Sequence, residues 1–133
     1  MEIKLALLAD SANVSREGKL NILGVFSNLN AKEFPAVWPS MVLVINLEAH
    51  VTEIEREHAI EIKVVDEDGK QLASIEGNFD IKPNQDPKMP STRGIILPLR
   101  DVQFAKPGYY SFDILVDGRY EESIPIHVIQ VSR

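Results

Sequence analysis

His58-Ala59-Ile60-Glu61-Ile62-Lys63-Val64-Val65 is the stretch that decides the fold. His58, Ile60, Ile62 and Val64 fall on one side of an extended chain, and Ala59, Glu61 and Lys63 on the other. Successive side chains of an extended backbone point to opposite faces, so this period of two marks a half-buried strand. Residues 109–116 repeat the pattern, with Tyr110, Phe112, Ile114 and Val116 opposed to Ser111 and Asp113. Ile124, Ile126 and Val128 alternate with Pro125 and His127. A helix over 50–62 is the competing reading, but His50, Glu53, Glu55 and Glu57 leave no apolar stripe at helical spacing.

Working outward, the same reasoning predicts eight strands, near 2–9, 19–28, 41–50, 58–65, 71–81, 94–102, 109–116 and 119–131. Turn chemistry punctuates them. Asp117-Gly118 tolerates positive φ and suits a two-residue hairpin, while Asp66-Glu67-Asp68-Gly69-Lys70 suits a type I turn closed by a glycine bulge. Pro107-Gly108 breaks the chain before the Tyr109 strand. Two longer connections, 30–40 with Pro35 and Pro39, and 82–93 with Pro83, Pro87 and Pro90, are expected to be stiff loops outside the sheets. Short strands at this spacing predict an all-β fold, an antiparallel β-sandwich in one domain over residues 1–133.

The composition narrows the chemistry. The chain has 133 residues, 44% hydrophobic and 26% charged, which is the size and balance of one globular domain. It has no Cys, hence no disulfide framework, no thiol nucleophile and no cysteine zinc site, and a cytoplasmic location is expected. A formal charge of −6 argues against nucleic acid as a partner, because phosphates need neutralising. The apolar run Leu5–Ala9 is too short for a secretory core or a membrane span, so no membrane partner is expected.

Catalytic and metal-binding patterns are missing. His50, His58 and His127 have no metal-ligand spacing, and no serine stands in a nucleophile elbow. Asp66-Glu67-Asp68-Gly69 resembles the start of a calcium loop but is followed by Lys70-Gln71-Leu72, without the distal glutamate. No cofactor, metal or catalytic residue is assigned, and an enzyme is not expected. A hydrolase assembled in space from carboxylates or histidines is the least favoured alternative.

Two features point to binding. Phe34-Pro35-Ala36-Val37-Trp38-Pro39 holds the only tryptophan, so Phe34 and Trp38 are candidates for a carbohydrate-like small ligand, or else plug one end of the sandwich. Several strands are also apolar on both faces: Val42 and Val44 oppose Met41, Leu43 and Ile45, and Ile95, Leu97 and Leu99 oppose Ile96 and Pro98. A lone sandwich wets its outer faces, so either chain covers the second face or a partner does. Val42, Val44, Ile95, Leu97 and Leu99 are the candidate interface, with a protein or a second copy as partner.

Leu7-Leu8-Ala9-Asp10-Ser11-Ala12, Gly18-Lys19-Leu20-Asn21-Ile22-Leu23-Gly24-Val25-Phe26 and Phe34-Pro35 resemble an uncharacterised bacterial family of small single-domain proteins. Pro107-Gly108-Tyr109-Tyr110-Ser111-Phe112-Asp113-Ile114 resembles a late strand of immunoglobulin-like sandwiches. The resemblance implies an immunoglobulin-like sandwich of seven to eight strands and a bacterial source. It carries no functional residues, so a non-enzymatic binding module remains the expectation.

Overall fold

A computed structural model describes residues 1–132. Nine strands form: β1 (Glu2–Val14), β2 (Leu20–Phe26), β3 (Asn28–Ala31), β4 (Ala36–Ala49), β5 (His58–Asp66), β6 (Gln71–Phe79), β7 (Ser91–Phe104), β8 (Gly108–Val116) and β9 (Arg119–Gln130). One sheet runs β2-β1-β4-β7 and the other β3-β9-β8-β5-β6. All pairings are antiparallel except β3 with β9. With β2 and β3 set aside, the remaining seven strands divide as first-second-fifth and seventh-sixth-third-fourth, the order of immunoglobulin-like sandwiches. The Tyr110 hydroxyl donates to the Lys106 carbonyl at the start of β8, matching the tyrosine corner of that fold.

The alternating segments build the core. Ile60, Ile62 and Val64 of β5, Phe112, Ile114 and Val116 of β8, and Ile124, Ile126 and Val128 of β9 face Leu8, Met41, Leu43, Ile45 and Leu47 of the other sheet. Both short turns form as expected: Asp117 (φ 51) and Gly118 (φ 81) close β8–β9, and Gly69 (φ 82) closes β5–β6.

Other boundaries moved. The predicted strand 19–28 is two strands, because the chain leaves the first sheet at Ser27 and β3 joins β9 in the second. The helix considered over 50–62 is one 3-10 turn, Val51–Glu53, before β5. The expected loop 30–40 is strand from Ala36 onward, with Trp38 paired to Val102 and Ser40 to Arg100. The core-facing side switches there. On β4 the inward side passes from Trp38 to Met41, Leu43, Ile45 and Leu47, while β7 changes from Leu97 and Leu99 to Val102 and Phe104. Pro39, which has no N–H, and Asp101, in the left-handed region at φ 53, occupy the switch.

The second apolar face is covered by the chain itself. Val44 lies between Leu7 and Ile96 on the outer side of the first sheet, is 0% exposed, and takes no part in the inter-sheet core. The β1–β2 hairpin crosses above it. Backbone of β1 comes within 8 Å of β7 although β4 lies between them, and a Cβ on Gly94 would stand 3.1 Å from the Leu20 side chain. Ala12, Leu20 and Ile22 are half-buried by this crossing, whereas Leu23 and Val25 face solvent. Val44→Ala is therefore expected to lower stability by about 2 kcal/mol, and Leu23→Ala by less than about 0.5 kcal/mol, in urea unfolding. Equal losses would contradict the hairpin cover.

Candidate functional site

Of the expected interface residues, Ile95, Leu97 and Leu99 point into or against the core, and Val44 is sealed beneath the hairpin. Only Val42 is half-buried on the outer side, opposite Ala9 and Pro98. The expected patch is thus not a free surface. Period two separated the faces of β7 correctly, but with both faces apolar it could not say which one the core takes.

Phe34 and Trp38 are half-buried and pack against the core. Trp38 stands in β4 just before the side switch, paired to Val102, so its indole packs against the core margin rather than projecting from a loop. The structure brings these two aromatic residues to the core margin, each still partly exposed.

The exposed apolar surface lies elsewhere, on the hairpin. Leu23 is 71% exposed and Val25 60%, both on the solvent face of the edge strand β2, with Val14 nearby in the same hairpin. Between them Gly24 takes φ 73 opposite Asp10, whose Oδ2 would stand 2.3 Å from any Cβ at Gly24. No ionisable side chain occurs between Leu20 and Phe26. The other edges differ: β7 carries Arg93, Pro98, Arg100 and Asp101, β6 carries Glu76, and β3 has four residues. Charges, prolines and short length are how sheet edges avoid unwanted pairing. In the sequence, two apolar residues flanking a glycine on a strand without charges are the signal for this patch.

The second notable cluster surrounds His58. Its ring is 1% exposed and stacks on Phe79 with centroids 5.4 Å apart. Nδ1 lies 2.7 Å from Asp117 Oδ2, and Nε2 lies 2.8 Å from the Glu53 carbonyl oxygen. Asp117 Oδ1 also accepts from the Ala59 backbone N–H at 2.9 Å. A carbonyl accepts only, so Nε2 must donate; a carboxylate opposite Nδ1 makes that nitrogen a donor too. When protonated, the ring is an imidazolium donating to two acceptors. Burial pushes its pKa down, but the Glu53 carbonyl and the Asp117 carboxylate outweigh that and raise it. The bond from His58 holds the Asp117 carboxyl below the usual range. With both nitrogens committed, His58 clamps the 3-10 turn, β5 and the β8–β9 hairpin together. The sequence put His58 on the apolar face of its strand, which was the signal that it needed buried partners.

His127 stacks on Tyr109, with centroids 4.1 Å apart and planes 10° from parallel, on the outer face of β8 and β9. Further along that face Ser111 and Ser123 donate to Asp113 Oδ1 at 3.0 and 2.7 Å. His50 is exposed and its backbone N–H donates to Glu53 Oε1. Asp66 Oδ1 accepts from the Asp68 and Lys70 backbone N–H groups, so the turn itself uses this carboxylate. Among the described residues no group of three metal-ligating side chains occurs, and no helix is long and apolar enough to cross a membrane.

Fold and sites together define an all-β immunoglobulin-like sandwich with an appended apolar hairpin. Residues 4–129 match a family of unknown function (DUF6941), and the chain belongs to that family. No curated protein matches the sequence. Among solved structures, the chain is similar at 12% identity and a TM-score of 0.44 to the Pseudomonas fluorescens alkylpurine DNA glycosylase AlkC bound to DNA containing an abasic site analog. That alignment covers 93% of this chain but 30% of the glycosylase, and nothing about activity follows from it.

Proposed function

We propose that this protein is a non-enzymatic interaction module whose solvent-facing hairpin docks a second copy of the chain. The observation that carries the reading is the exposed pair Leu23 and Val25 on an edge strand with no charge. The segment 20–26 is uncharged and self-complementary: a two-fold axis at Gly24 sets Leu23 opposite Val25 of the other copy, twice, with the two Asp10 carboxylates flanking the axis. The left-handed Gly24 interrupts a continuous ladder, so side-chain burial rather than main-chain pairing holds the contact. Burying four such side chains is expected to leave about 5 kcal/mol after the cost of association, which corresponds to a dissociation constant on the order of 100 μM.

Sedimentation equilibrium is the test. The wild type is expected to shift from monomer to dimer across that concentration range, and Leu23→Lys with Val25→Lys to stay monomeric with an unchanged melting temperature. Monomer throughout, or association that survives the double substitution, would reject the second copy as the occupant. Capture of a different protein through the same two residues would assign the hairpin to a heterologous partner instead.

A further inference from the structure

We infer that the cleft between the open edges β6 and β7 binds a small, uncharged aliphatic molecule. Each of these strands ends its sheet, so neither is paired on its outer side. On the opposite flank the backbone of β1 comes within 8 Å of β9, whereas here a cavity of about 310 Å³ opens between the sheets. Burial grades its lining by depth. Val64 and Leu99, each 2% exposed and part of the inter-sheet core, form the floor. Half-buried Ile75 and Val102 form the walls, and the exposed Leu72, Arg100 and Asp101 stand at the rim. Valine and leucine side chains give a water molecule no hydrogen-bond partner, so an apolar body displaces water from this floor at little cost. It also gains dispersion contacts that the floor otherwise lacks.

Two backbone irregularities frame the opening from opposite sides. On β6, Val64 pairs with Ala73 and Val65 with Gln71, which leaves Leu72 outside the ladder. On β7, Asp101 takes φ 53 and drops out of the ladder with β4, where the inward side passes from Leu99 to Val102. The lining chooses the occupant. Arg100 and Asp101 are consecutive, exposed and opposite in sign, so the rim carries no net charge and favours neither an anion nor a cation. A charged head would also lose hydration against the apolar floor. Among the described residues lining the cavity none is aromatic, so a planar ring finds no stacking partner and an aliphatic chain fits better. The volume lies at the lower end of the roughly 300–1,000 Å³ of ligand pockets, which suits a short chain. Pro98 offers no N–H and Asp101 breaks the extended conformation, so a peptide strand finds no continuous ladder along β7.

1-Hexanol is the probe, with hexanoate and hexylammonium as charged controls of the same chain length. In amide-resolved NMR titrations of the intact chain, hexanol is expected to move the signals of Ile75, Leu99 and Val102 saturably. A molecule of this size should give a dissociation constant on the order of 1 mM. Both charged controls should bind several-fold more weakly. Ala73 is exposed and lines the cavity, so Ala73→Trp fills it and should weaken hexanol at least about tenfold. Leu72→Asp, at an exposed position outside the ladder, replaces an apolar rim residue by a charge. It should weaken hexanol several-fold and stands in if the tryptophan variant does not fold. Shifts that do not saturate, that map elsewhere, or that persist undiminished in the folded variants would overturn the site. Binding of hexanoate or hexylammonium as tight as that of hexanol would overturn the preference for an uncharged ligand.

Discussion

Replacing His58 by Ala should destabilise the protein by about 3 kcal/mol and flatten its response to pH between mildly acid and mildly alkaline solution. The substitution removes a fully buried ring from Phe79 and leaves the Glu53 carbonyl and the Asp117 carboxylate without their donor. Asp117 is partly exposed and recovers some solvation, so the loss falls at the lower end for a broken buried pair. The pH dependence has two limbs. The His58 pKa is raised on folding, so its contribution is complete below the ordinary imidazole range and fades as pH rises through the raised value. The Asp117 pKa is lowered on folding, so its contribution is complete above the ordinary carboxyl range and fades as pH falls through the lowered value.

The clamp is therefore strongest at mildly acid pH, between those two ranges. The urea midpoint at about pH 5.5 should exceed that at about pH 8.5 in the wild type, and the excess should shrink in His58→Gln. A variant with the same pH slope as the wild type would show that the imidazolium is not the titrating clamp.

Gly24→Ala should cost about 3 kcal/mol, an effect of the same order at an exposed position. Two penalties combine there. An alanine at φ 73 is strained wherever it stands, and its Cβ would meet Asp10 Oδ2 at 2.3 Å, Cγ at 2.7 Å and Cβ at 3.0 Å. Asp10→Gly removes the collision but not the strain, so the Gly24→Ala, Asp10→Gly protein should regain about half the loss. Full recovery would mean that backbone strain plays no part. The substitution also bears on the proposed self-association: it disturbs the position that sets Leu23 and Val25 side by side, so any dimer formed through them should weaken along with stability.

How much was legible depended on whether one residue or its surroundings held the information. The alternations at 58–65, 109–116 and 124–128 and the Asp117-Gly118 turn are local, and each became the expected strand or hairpin. Strand ends were less legible. Pro39 and Trp38 looked like loop residues, yet Pro39 sits in a strand because the inward side switches there, opposite the left-handed Asp101. The site was the least legible part. Ile95, Leu97 and Leu99 differ from Ile96 and Pro98 by one position, and an apolar pattern on both faces gives no sign of which is inside.

Length, composition and the period of two thus determined a single all-β sandwich and drew attention to a second apolar face. Tertiary structure alone decided what covers that face, since the hairpin folds over Val44 through contacts between residues far apart in the chain. It alone joined His58 to Asp117, 59 positions away, and left Leu23 and Val25 in water. Strand formation is set by neighbours along the chain. Burial of a given face is set by whichever segment packs against it, and only the folded arrangement specifies that segment.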